Sequence, residues 1–531
     1  QRSSMIPPIL HQAWKTDQVP ERFQPWIESW NRHNPGWTRM FWNDRALVDF
    51  VGANYPGFVD TFCGYGSGIL RADAGRYLLL HHFGGVYADL DCECVAPFDR
   101  LMAEDRVVFC KEPAERSANR AELRGLPYLI FNGTMASPPR HPFWLHLLSA
   151  LPDLADAKEA IDATGAGVLA SAQSRFADQA SLVVHPSRLF ASEEGDGGAA
   201  DPSGDRDAGA TLSRHHRAGT SRKARPAETL RDALKRRFHR AKYLLTRGEQ
   251  TDADAARAAI DPAALAAKAP GRGGNIAVLV PVRDAAEHIA PFLAAMARLD
   301  YPADRIKLVF CEGDSRDGSF DLLRQATEPL RDRYRDIVLL QKPLGTVLDR
   351  TRRTWPKLQR ERRCGLAKVR NHLIRHGLDD GDDWALWIDI DVWKFPDDIV
   401  QILTATGHRI VTPNCVRRSG GASFDMNSFI TTRPERDHRY YRSVVGGLYQ
   451  PPADFAGRLH LSDVRHLDQV ELDGVGGTML LVDAALHRGG LAFPEKPYRD
   501  LVETEGFGAL ARDVGIAAVG LPRVEIFHVP W

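Results

Sequence analysis

Two stretches of the chain alternate apolar, strand-like runs with amphipathic, helix-like runs. The second stretch reads NIAVLVPVRD, AEHIAPFLAAMARL, RIKLVFCEGDSRDGS and FDLLRQATEPL from residue 275 onward, and the first has PPILHQAW, ILRADAGRYLLLHHF and GVYADLDCECV. Strands rich in β-branched residues that alternate with helices predict a parallel, doubly wound α/β sheet. Such sheets bind ligands at the carboxyl ends of their strands. The sequence therefore predicts an α/β protein with two tandem Rossmann-like units.

The amino-acid composition excludes some classes of function for this chain. The 531 residues include 69 Lys and Arg against 69 Asp and Glu, which gives a formal net charge of zero. Dedicated nucleic-acid binders carry a basic excess or stripe, so we expect no nucleic-acid partner. The 7 cysteines are too sparse for a disulfide framework and favour a reducing compartment. No apolar run reaches the roughly 18 to 20 residues of a membrane span, so we expect a cytoplasmic protein.

A segment of different composition separates the two stretches. It includes the low-complexity run SEEGDGGAADPSGDRDAGA and the helical run ETLRDALKRRFHRAKYLLTR, and it predicts domains at 5–222 and 275–531 joined by a linker at 223–274. In the helical run, Leu234, Phe238 and Leu245 recur at helical spacing among basic residues. Two interpretations stay open for 229–247: a helix packed between domains, or a basic amphipathic helix in peripheral contact with the inner face of an anionic membrane.

Each stretch carries one acidic triplet where a strand ends. Asp89 and Asp91 lie in GGVYADLDCE, and Asp389 and Asp391 lie in WALWIDIDVW. Residues i and i+2 of a strand point to the same side, so the two carboxylates of each triplet can converge beyond the apolar strand. Paired carboxylates need a cation, and hard oxygen ligands suit Mn²⁺ or Mg²⁺, which keep open positions for substrate phosphates. A solvated strand end is the alternative for either triplet alone.

An acidic turn, GDSRDGS from Gly313, follows another strand of the second stretch. Its carboxylates, Asp314 among them, could accept hydrogen bonds from a base or ribose, and together with a metal they indicate a nucleotide diphosphate. A sugar nucleotide is the natural donor, since a metal offsets the charge that grows on a leaving diphosphate.

Residues from about Ile6 to Ser221 resemble the glycosyltransferase family defined by a DXD-containing sugar-binding region. The resemblance is carried by IPPILHQAWKT, ILRADAGRYLLLHHFGGVYADLD, SPPRHPFW and TGAG. It implies a GT-A fold with a metal at Asp89 and Asp91. It also implies donor-side roles for Asp73, a catalytic candidate, and for the donor-binding candidates Trp14, Arg71, Arg76 and Tyr77. The family closes with a His-containing segment, whose counterpart here is HHRAGTS with His215 and His216. Arg217 and Ser221 replace the aromatic positions expected there.

Residues from about Asn275 to Trp531 are similar to the fungal mannan-polymerase subunit family, again of GT-A fold. The similarity rests on LVPVRDAAEHI, EGDSRDGS, AKVRNHLI, WALWIDIDV, FDMNSF, ELDGVGGTMLLV, ETEGFG and IFHVPW. It implies Asp389, Asp391 and His528 as manganese ligands, and a base, ribose and diphosphate pocket formed by Pro281, Arg283, Asp284, Asp314, Arg370, Asn371, Gly476 and Gly477. GDP-mannose is the donor it favours.

Several of the predicted site residues could instead have a purely structural role. His528 could be a core histidine, and Arg370 could be a solvated arginine on a helix. Glu503 and Glu505 suit an acceptor-side, catalytic carboxylate, but acidic residues also favour helix N-termini. Asn427 and Ser428 could bind the acceptor or cap a turn.

The sequence as a whole predicts a bifunctional, metal-dependent, retaining glycosyltransferase that adds sugars, mannose among them, to a glycan or glycolipid. Two alternatives stay open. One is an active C-terminal transferase fused to a degenerate, glycan-binding N-terminal module. The other, ranked lower, is an aspartate-dependent phosphatase, because WIDIDVW also fits the nucleophile pattern of those enzymes.

Overall fold

The computed structural model describes residues 5–192, 211–218, 230–345, 355–433, 436–452 and 455–529. Contacts between residues divide the chain into two units. The first is Gln1–Pro226 with Asp463–His466, and the second is Ala227–Ser462 with Leu467–Trp531. The low-complexity run from 193 and the end of HHRAGTS lie outside the described residues.

The first unit alternates strands and helices from its beginning. Its strands are β1 (Ile9–Ala13), β2 (Thr38–Trp42), β3 (Gly85–Ala88), β4 (Cys92–Cys94), β5 (Val107–Cys110), β6 (Thr134–Ser137), β7 (Leu182–His185) and β8 (Ser213–His215). Its helices are α1 (Gln24–His33), α2 (Asp44–Asn54), α3 (Val59–Gly64), α4 (Gly68–Phe83), α5 (Ala114–Glu122), α6 (Pro142–Ala150), α7 (Ala160–Ala163) and α8 (Ala166–Arg175).

Six of these strands form a mixed sheet in the order β2-β1-β3-β6-β5-β7. Strand β1 runs parallel to both β2 and β3, whereas β6 runs antiparallel to β3 and β5. Every residue of β3, β5 and β6 is buried, as expected for strands covered on both faces. Helix α4 packs beside this sheet and is almost wholly buried from Asp73 to His81, which brings its polar residues to the end of β3.

The second unit contains the remaining strands and helices. Its strands are β9 (Ile276–Val282), β10 (Ile306–Glu312), β11 (Asp336–Gln341), β12 (Trp384–Ile388), β13 (Ile410–Val416), β14 (Phe429–Thr431), β15 (Val444–Val445), β16 (Leu448–Tyr449), β17 (Arg458–His460), β18 (Val470–Leu472), β19 (Met479–Asp483) and β20 (Ala518–Phe527). Its helices are α9 (Leu230–Thr246), α10 (Ala253–Ala258), α11 (Pro262–Ala266), α12 (Ala286–Arg298), α13 (Ser319–Thr327), α14 (Pro356–Gly377), α15 (Ile399–Ala405), α16 (His438–Arg442), α17 (Ala484–Arg488) and α18 (Glu503–Asp513).

Eight strands of this unit form one sheet in the order β11-β10-β9-β12-β19-β13-β20-β18. The first four are mutually parallel, and β19 is antiparallel to both of its neighbours. The carboxyl ends of β9, β10 and β12 therefore lie along one edge, where the sequence predicts the ligand. The predicted Rossmann-like, α/β class is confirmed for both units.

Both acidic triplets lie in a turn just beyond a strand, and not within the strand as strand spacing suggested. In the first unit the amide of Cys92 donates to the carbonyl of Asp89 at 3.0 Å. In the second unit the amide of Val392 donates to Asp389 at 2.9 Å. The predicted strand GVYADLDCECV is accordingly split into β3 and β4 by this turn.

Within the described parts of the chain, no helix combines the length and the hydropathy that a transmembrane segment requires.

Candidate active sites

In the first unit, the turn after β3 places two carboxylates at the end of the sheet. The amide of Asp89 donates to the carbonyl of Gly133 at 2.8 Å, which fixes the turn on the loop before β6. Strand β4 then pairs antiparallel with β8, and this pairing sets Cys92 opposite His215. Segment 211–218 thereby returns to the acidic triplet, although it lies more than a hundred residues later in the chain.

A buried arginine of α4 bridges two of the predicted carboxylates. The guanidinium of Arg76 lies 3.0 Å from Asp73 and 3.3 Å from Asp89, and it stacks on the ring of Tyr87 at 4.6 Å. Arg76 also donates to the carbonyl of Asn132 at 2.5 Å. Because both its position and its charge are fixed inside the protein, Arg76 is a preformed cation beside the triplet.

Asp73 is fully engaged by its neighbours. Besides Arg76, it accepts hydrogen bonds from Asn132 Nδ2 at 3.1 Å and Thr164 Oγ1 at 3.4 Å. Burial raises the pKa of Asp73 to about 6, although Arg76 lowers it. Burial also raises the pKa of Asp89, with Arg76 again opposing the shift. In this arrangement Asp73 holds the Arg76 guanidinium in position. The catalytic role of Asp73 stays a prediction.

The second aspartate of the triplet faces a histidine. Nε2 of His215 lies 3.3 Å from Oδ1 of Asp91, and with the Cys92 thiol these groups form a cluster whose ligand atoms lie within 4.8 Å of one another. Burial raises the pKa of Cys92 well above its ordinary range, so this residue stays a neutral thiol. Asp91 and His215 supply the carboxylate oxygen and the imidazole nitrogen of this cluster, and both groups suit a divalent ion.

His216, also predicted as a ligand, is placed differently. Its Nε2 lies 2.8 Å from Glu93 Oε2, and its ring stacks on Trp26 at 4.5 Å. Its backbone amide, however, donates to the carbonyl of Asp91 at 2.9 Å. The structure thus brings His215, and not the His216 ring, to the acidic triplet.

The other donor candidates of this unit lie around the cluster with existing partners. Trp14 packs against the apolar cluster of Phe23, Ile27 and Leu90, and its ring lies 5.2 Å from that of Phe23. The Tyr77 hydroxyl donates to the carbonyl of Thr164 at 2.7 Å, inside the core. Arg71 donates to the carbonyl of Tyr65 at 2.9 Å. Trp14 is thus the one of these three that packs against a cluster containing a residue of the triplet, Leu90.

In the second unit, the triplet after β12 opens into a cavity of about 520 Å³. Helix α14 presents Arg370 to it, and Nη2 of Arg370 lies 3.4 Å from Asp389 Oδ1. The Arg370 side chain is buried over Trp387 and Phe493, each ring centroid 5.3 Å away. Its Nε and Nη1 have no hydrogen-bond partner among the described residues, so they are donors held ready for an anion.

The second aspartate of this triplet also faces a histidine. Nε2 of His528 lies 3.3 Å from Oδ2 of Asp391, and Nδ1 of His528 binds the carbonyl of Val529 at 2.7 Å. Burial lowers the pKa of His528, but the hydrogen bond and charge of Asp391, the Val529 carbonyl and the charge of Asp389 together outweigh it, so the pKa is raised. Burial raises the pKa of Asp389 to about 7, with Arg370 opposing and Asp391 reinforcing the shift.

The predicted glycines make room for charged side chains. A Cβ on Gly477 would overlap Nη2 of Arg370, and a Cβ on Gly476 would overlap the carboxylate of Asp425. Asp425 accepts hydrogen bonds from the Thr478 amide at 3.2 Å and its hydroxyl at 2.8 Å. Gly477, which lines the cavity, therefore leaves the space that Arg370 occupies, and Gly476 leaves the space that Asp425 occupies.

Glu503 and Glu505 begin α18, and both are buried and paired. Arg363 lies 3.1 Å from Glu503, and Arg458 lies 2.9 Å from Glu505. Glu505 lines the cavity, and its Oε2 has no hydrogen-bond partner among the described residues. Burial raises the pKa of Glu505, although Arg458 lowers it. Burial of both side chains distinguishes them from solvated acids at a helix N-terminus.

The remaining predicted residues lie either on α14 or where β9 and β10 end. Asn371 faces away from the cavity: its Nδ2 donates to the carbonyl of Phe493 at 2.9 Å, and its Oδ1 accepts from the amide of Phe493 at 3.0 Å. Arg283, Asp284 and Asp314 gather where β9 and β10 end, next to Pro281. Arg283 lies 4.0 Å from Asp314, which accepts from the Leu344 amide at 3.1 Å. Both aspartates have positive φ, 46° and 59°.

Sequence reasoning missed four residues of the two sites. Asp425, Arg363, Arg458 and Asn132 contact the predicted residues but were not singled out. Asp425 lies in FDMNSF, where Asn427 and Ser428 were the predicted residues. Ser428 accepts a hydrogen bond from the Gly476 amide at 2.9 Å. Nothing in the sequence around Arg363 or Arg458 distinguishes these arginines from others. Each is recognised only in the structure, by its ion pair with a glutamate that is distant in sequence.

The two sites have the same arrangement of charges. In each unit, the first aspartate of the triplet is held by a buried helical arginine at 3.3 or 3.4 Å, and the second faces a histidine Nε2 at 3.3 Å. Atoms that share an octahedral ion at about 2.1 Å lie about 3 Å apart, so the Asp and His atoms suit a common ion. Oxygen and imidazole donors also suit Mn²⁺, and Oδ1 of Asp391 is buried without a hydrogen-bond partner. The residues present therefore fit the predicted metal.

Family comparisons agree with this architecture. Residues 20–108 match the family model of the glycosyltransferase sugar-binding region containing the DXD motif, and residues 257–497 match the Anp1 family model. By class, therefore, the chain resembles glycosyltransferases in both of its halves. Its N-terminal half resembles the DXD-region family, and its C-terminal half resembles the Anp1 family of mannan-polymerase subunits, as the sequence predicts.

Individual relatives match one half each. The mannan polymerase complex subunit mnn9 of Schizosaccharomyces pombe is 29% identical over 271 residues, 48% of this chain and 80% of the relative. The mannan polymerase II complex anp1 subunit of the same organism is 26% identical over 48% of this chain and 64% of the relative. Inositol phosphoceramide mannosyltransferase 1, also from that yeast, is 35% identical over 26% of this chain and 40% of the relative.

Among solved structures, the mannosyltransferase PcManGT from Pyrobaculum calidifontis, in complex with GDP-Man and Mn²⁺, aligns with a TM-score of 0.30 and 18% identity. The alignment covers 56% of this chain and 68% of that one.

Proposed function

We propose that the chain is a bifunctional, metal-dependent glycosyltransferase in which each unit transfers a sugar from a nucleotide-diphosphate sugar. The observation that carries the proposal is the repeated arrangement at the two triplets, Arg76–Asp89 with Asp91–His215, and Arg370–Asp389 with Asp391–His528. The two units have sheets of different strand order, so acidic residues with a purely structural role would not need the same charged partners in both. The repeated partners therefore favour a shared functional role.

In the second unit, Arg370 is the group that receives the donor diphosphate. Its guanidinium is held by Asp389 on one side and by two aromatic rings on the other, and two of its nitrogens are buried and free to donate to phosphate oxygens. A bound Mn²⁺ would offset the charge that develops on the leaving diphosphate. Names of the relatives, mannan polymerase subunits and a mannosyltransferase, favour GDP-mannose as this donor.

Glu505 orients the acceptor. Glu505 lines the cavity and its Oε2 has no hydrogen-bond partner among the described residues, so this oxygen can accept a hydrogen bond from an acceptor hydroxyl, while Arg458 fixes the other carboxylate oxygen. Oδ2 of Asp425 accepts two hydrogen bonds from Thr478 and Oδ1 accepts one from the Asn427 amide, so both oxygens of this carboxylate already hold the surrounding chain in place. We therefore favour front-side attack of the hydroxyl with retention of configuration, in which the departing diphosphate oxygen takes the proton.

In the first unit, Asp73, Asn132 and Thr164 hold Arg76 in place, and Arg76 plays the part that Arg370 plays in the second. The similarity of this half to an inositol phosphoceramide mannosyltransferase favours a glycolipid or glycan acceptor. The HHRAGTS segment departs from the family pattern at its aromatic positions. It nevertheless places His215 next to Asp91, and His215 is the side chain of this segment that the proposed metal site needs. This favours an active first unit over a degenerate binding module.

Separate Asp91→Asn and Asp391→Asn variants test the proposal. Release of nucleotide diphosphate is measured with Mn²⁺ and a panel of sugar nucleotides that includes GDP-mannose, with the exposed Asp60→Asn and Asp321→Asn as controls. We expect each active-site variant to remove one donor activity and to leave the other. If one variant abolishes all turnover and the other changes nothing, only one unit is a transferase. Turnover of no donor by the intact chain would overturn the proposal.

A further inference from the structure

Helix α9 of the second unit presents large apolar side chains to solvent. The exposed fractions are 57% for Leu234, 68% for Phe238, 54% for Leu244 and 87% for Leu245. These are four of the ten exposed large hydrophobic residues identified in the described parts of the chain, and they lie within 12 residues of sequence. Scattered exposed apolar residues are ordinary, but a cluster of this kind marks an interaction surface.

Three of these four residues share one side of α9, the helix is attached by the opposite side, and Leu244 lies about 80° from Leu234 near Arg237. At 100° per residue, Leu234, Phe238 and Leu245 lie within about 40° of one another around the helix axis, and Tyr243 lies about 180° from Leu234. Tyr243 is buried, and its hydroxyl lies 2.9 and 3.0 Å from the two carboxylate oxygens of Asp500. The apolar side therefore faces away from the unit that carries it.

Positive charge surrounds this apolar strip. Helix α9 contains Lys235, Arg236, Arg237, Arg240 and Lys242 but only one acidic residue, Asp232, in a chain whose net charge is zero. Lys235 and Lys242 border the strip on one side, at about 100° and 80° from Leu234, and Arg237 borders it on the other at about 300°. An apolar strip between two basic borders is the pattern of a helix that lies in the interface of an anionic bilayer.

We propose that α9 docks the second unit on an anionic lipid surface, with Phe238 and Leu245 inserted among the acyl chains and the lysines on lipid headgroups. Charge complementarity selects this occupant, because an apolar helix or a second copy of a chain with no net charge would not need basic residues on both borders. This docking does not depend on the proposed transferase activity.

The attachment of α9 links such docking to the cavity. Asp500 accepts a second hydrogen bond from the Tyr440 hydroxyl at 2.7 Å, and the Tyr440 ring stacks on Tyr449 at 4.4 Å. Tyr449 lines the cavity that holds Asp389. Helix α9 is thus fixed to a wall of the cavity by side-chain contacts, so a surface bound at α9 stays at a set distance from it.

Cosedimentation of the full chain with vesicles tests the proposal. The vesicles are phosphatidylcholine alone, or phosphatidylcholine with about one third phosphatidylserine. We expect binding to the anionic vesicles only, weakened by added salt. Phe238→Ser with Leu245→Ser should weaken this binding about tenfold or more, since two large apolar groups no longer leave water. The control is Leu322→Ser, which alters an exposed leucine of α13.

The charge contribution is measured separately. Lys235→Gln with Lys242→Gln should weaken binding to anionic vesicles about tenfold or more and reduce its salt dependence, whereas Arg324→Gln on α13 should change neither. Far-ultraviolet circular dichroism and the thermal midpoint confirm that each variant is folded. Absence of vesicle binding, or unchanged binding in both α9 variants, would overturn the proposal. So would a dimer, seen by light scattering, that the serine variant converts to a monomer.

Discussion

In the first unit, Nε2 of His215 lies 3.3 Å from Oδ1 of Asp91, and this distance is the same as that between His528 and Asp391 in the second unit. The histidine reaches its aspartate by different routes. His215 arrives on the two-stranded pairing of β4 with β8, and His528 follows the long strand β20. Equivalent charge geometry on different local scaffolds indicates that both sites are built for the same kind of ligand.

Replacement of His215 should weaken metal binding in the first unit. We expect His215→Ala to lower the affinity for Mn²⁺ about tenfold or more, because a ligand is lost while Asp91 stays. Isothermal titration with Mn²⁺ measures this, and His216→Ala is the matched control, since His216 contacts Glu93. An equal effect of both variants would contradict the assignment of His215 alone.

A methyl group on Gly477 should disable the second site. Gly477→Ala forces Arg370 away from Asp389, because the new Cβ overlaps its guanidinium. We expect a loss of about 1 to 3 kcal/mol in the free energy of unfolding, together with a lower affinity for the donor of the second unit. Denaturant titration and donor-binding titration measure the two effects. Gly271→Ala is the control, because nothing lies within 4 Å of a Cβ at that position.

Glu505 and Glu503 should differ in what they contribute. If Glu505 orients the acceptor hydroxyl, Glu505→Gln lowers acceptor turnover about 100-fold and leaves donor affinity unchanged. Its ionised form is needed, and burial raises its pKa, so turnover should fall as the pH drops toward that raised pKa. The measurement is kcat against pH for transfer and for donor hydrolysis. Glu503→Gln, which does not line the cavity, should keep the pH profile of the intact chain.

Much of the fold was predictable from the pattern of apolar residues. Helix α4 and strands β9 and β10 appear where periodicity placed them, because each buries a continuous apolar face. The turn at each triplet was not predictable, since a strand and a tight turn both bring two carboxylates together. Asn371 illustrates a second limit: the family resemblance implied that it approaches the diphosphate with Arg370, but a helix turns about 100° per residue, so Asn371 binds Phe493 instead.

Acid should destabilise both units through two buried histidines. His11 accepts from the Trp42 indole at 3.3 Å through Nδ1 and binds the Gly84 carbonyl through Nε2 at 3.0 Å. His487 accepts from the Trp387 indole at 3.0 Å and binds the Leu491 carbonyl at 2.7 Å. Both rings are thereby held neutral, and burial lowers each pKa from 6.5 to about 4.

The sign follows from proton binding. Between pH 6.5 and about 4 the unfolded chain binds a proton at each histidine and the folded chain does not, so stability falls as the pH decreases through this window. Each histidine should contribute a loss of about 3 kcal/mol by the lower limit. Denaturant unfolding at a series of pH values measures the slope. His11→Gln or His487→Gln should reduce it, whereas the exposed His376→Gln should not; equal slopes in all variants would contradict the prediction.

The predicted metal site of the first unit depends on the register in which β4 pairs with β8. Cys92 is opposite His215, Glu93 opposite Arg214 and Cys94 opposite Ser213, so three residue pairs decide which side chain reaches Asp91. Side chains alternate along a strand, and a shift by one residue would present Arg214 or His216 in place of His215. A single-residue insertion in this short ladder would therefore replace His215, the predicted metal ligand, by a cation or a misplaced ring, while the acidic triplet itself stayed intact.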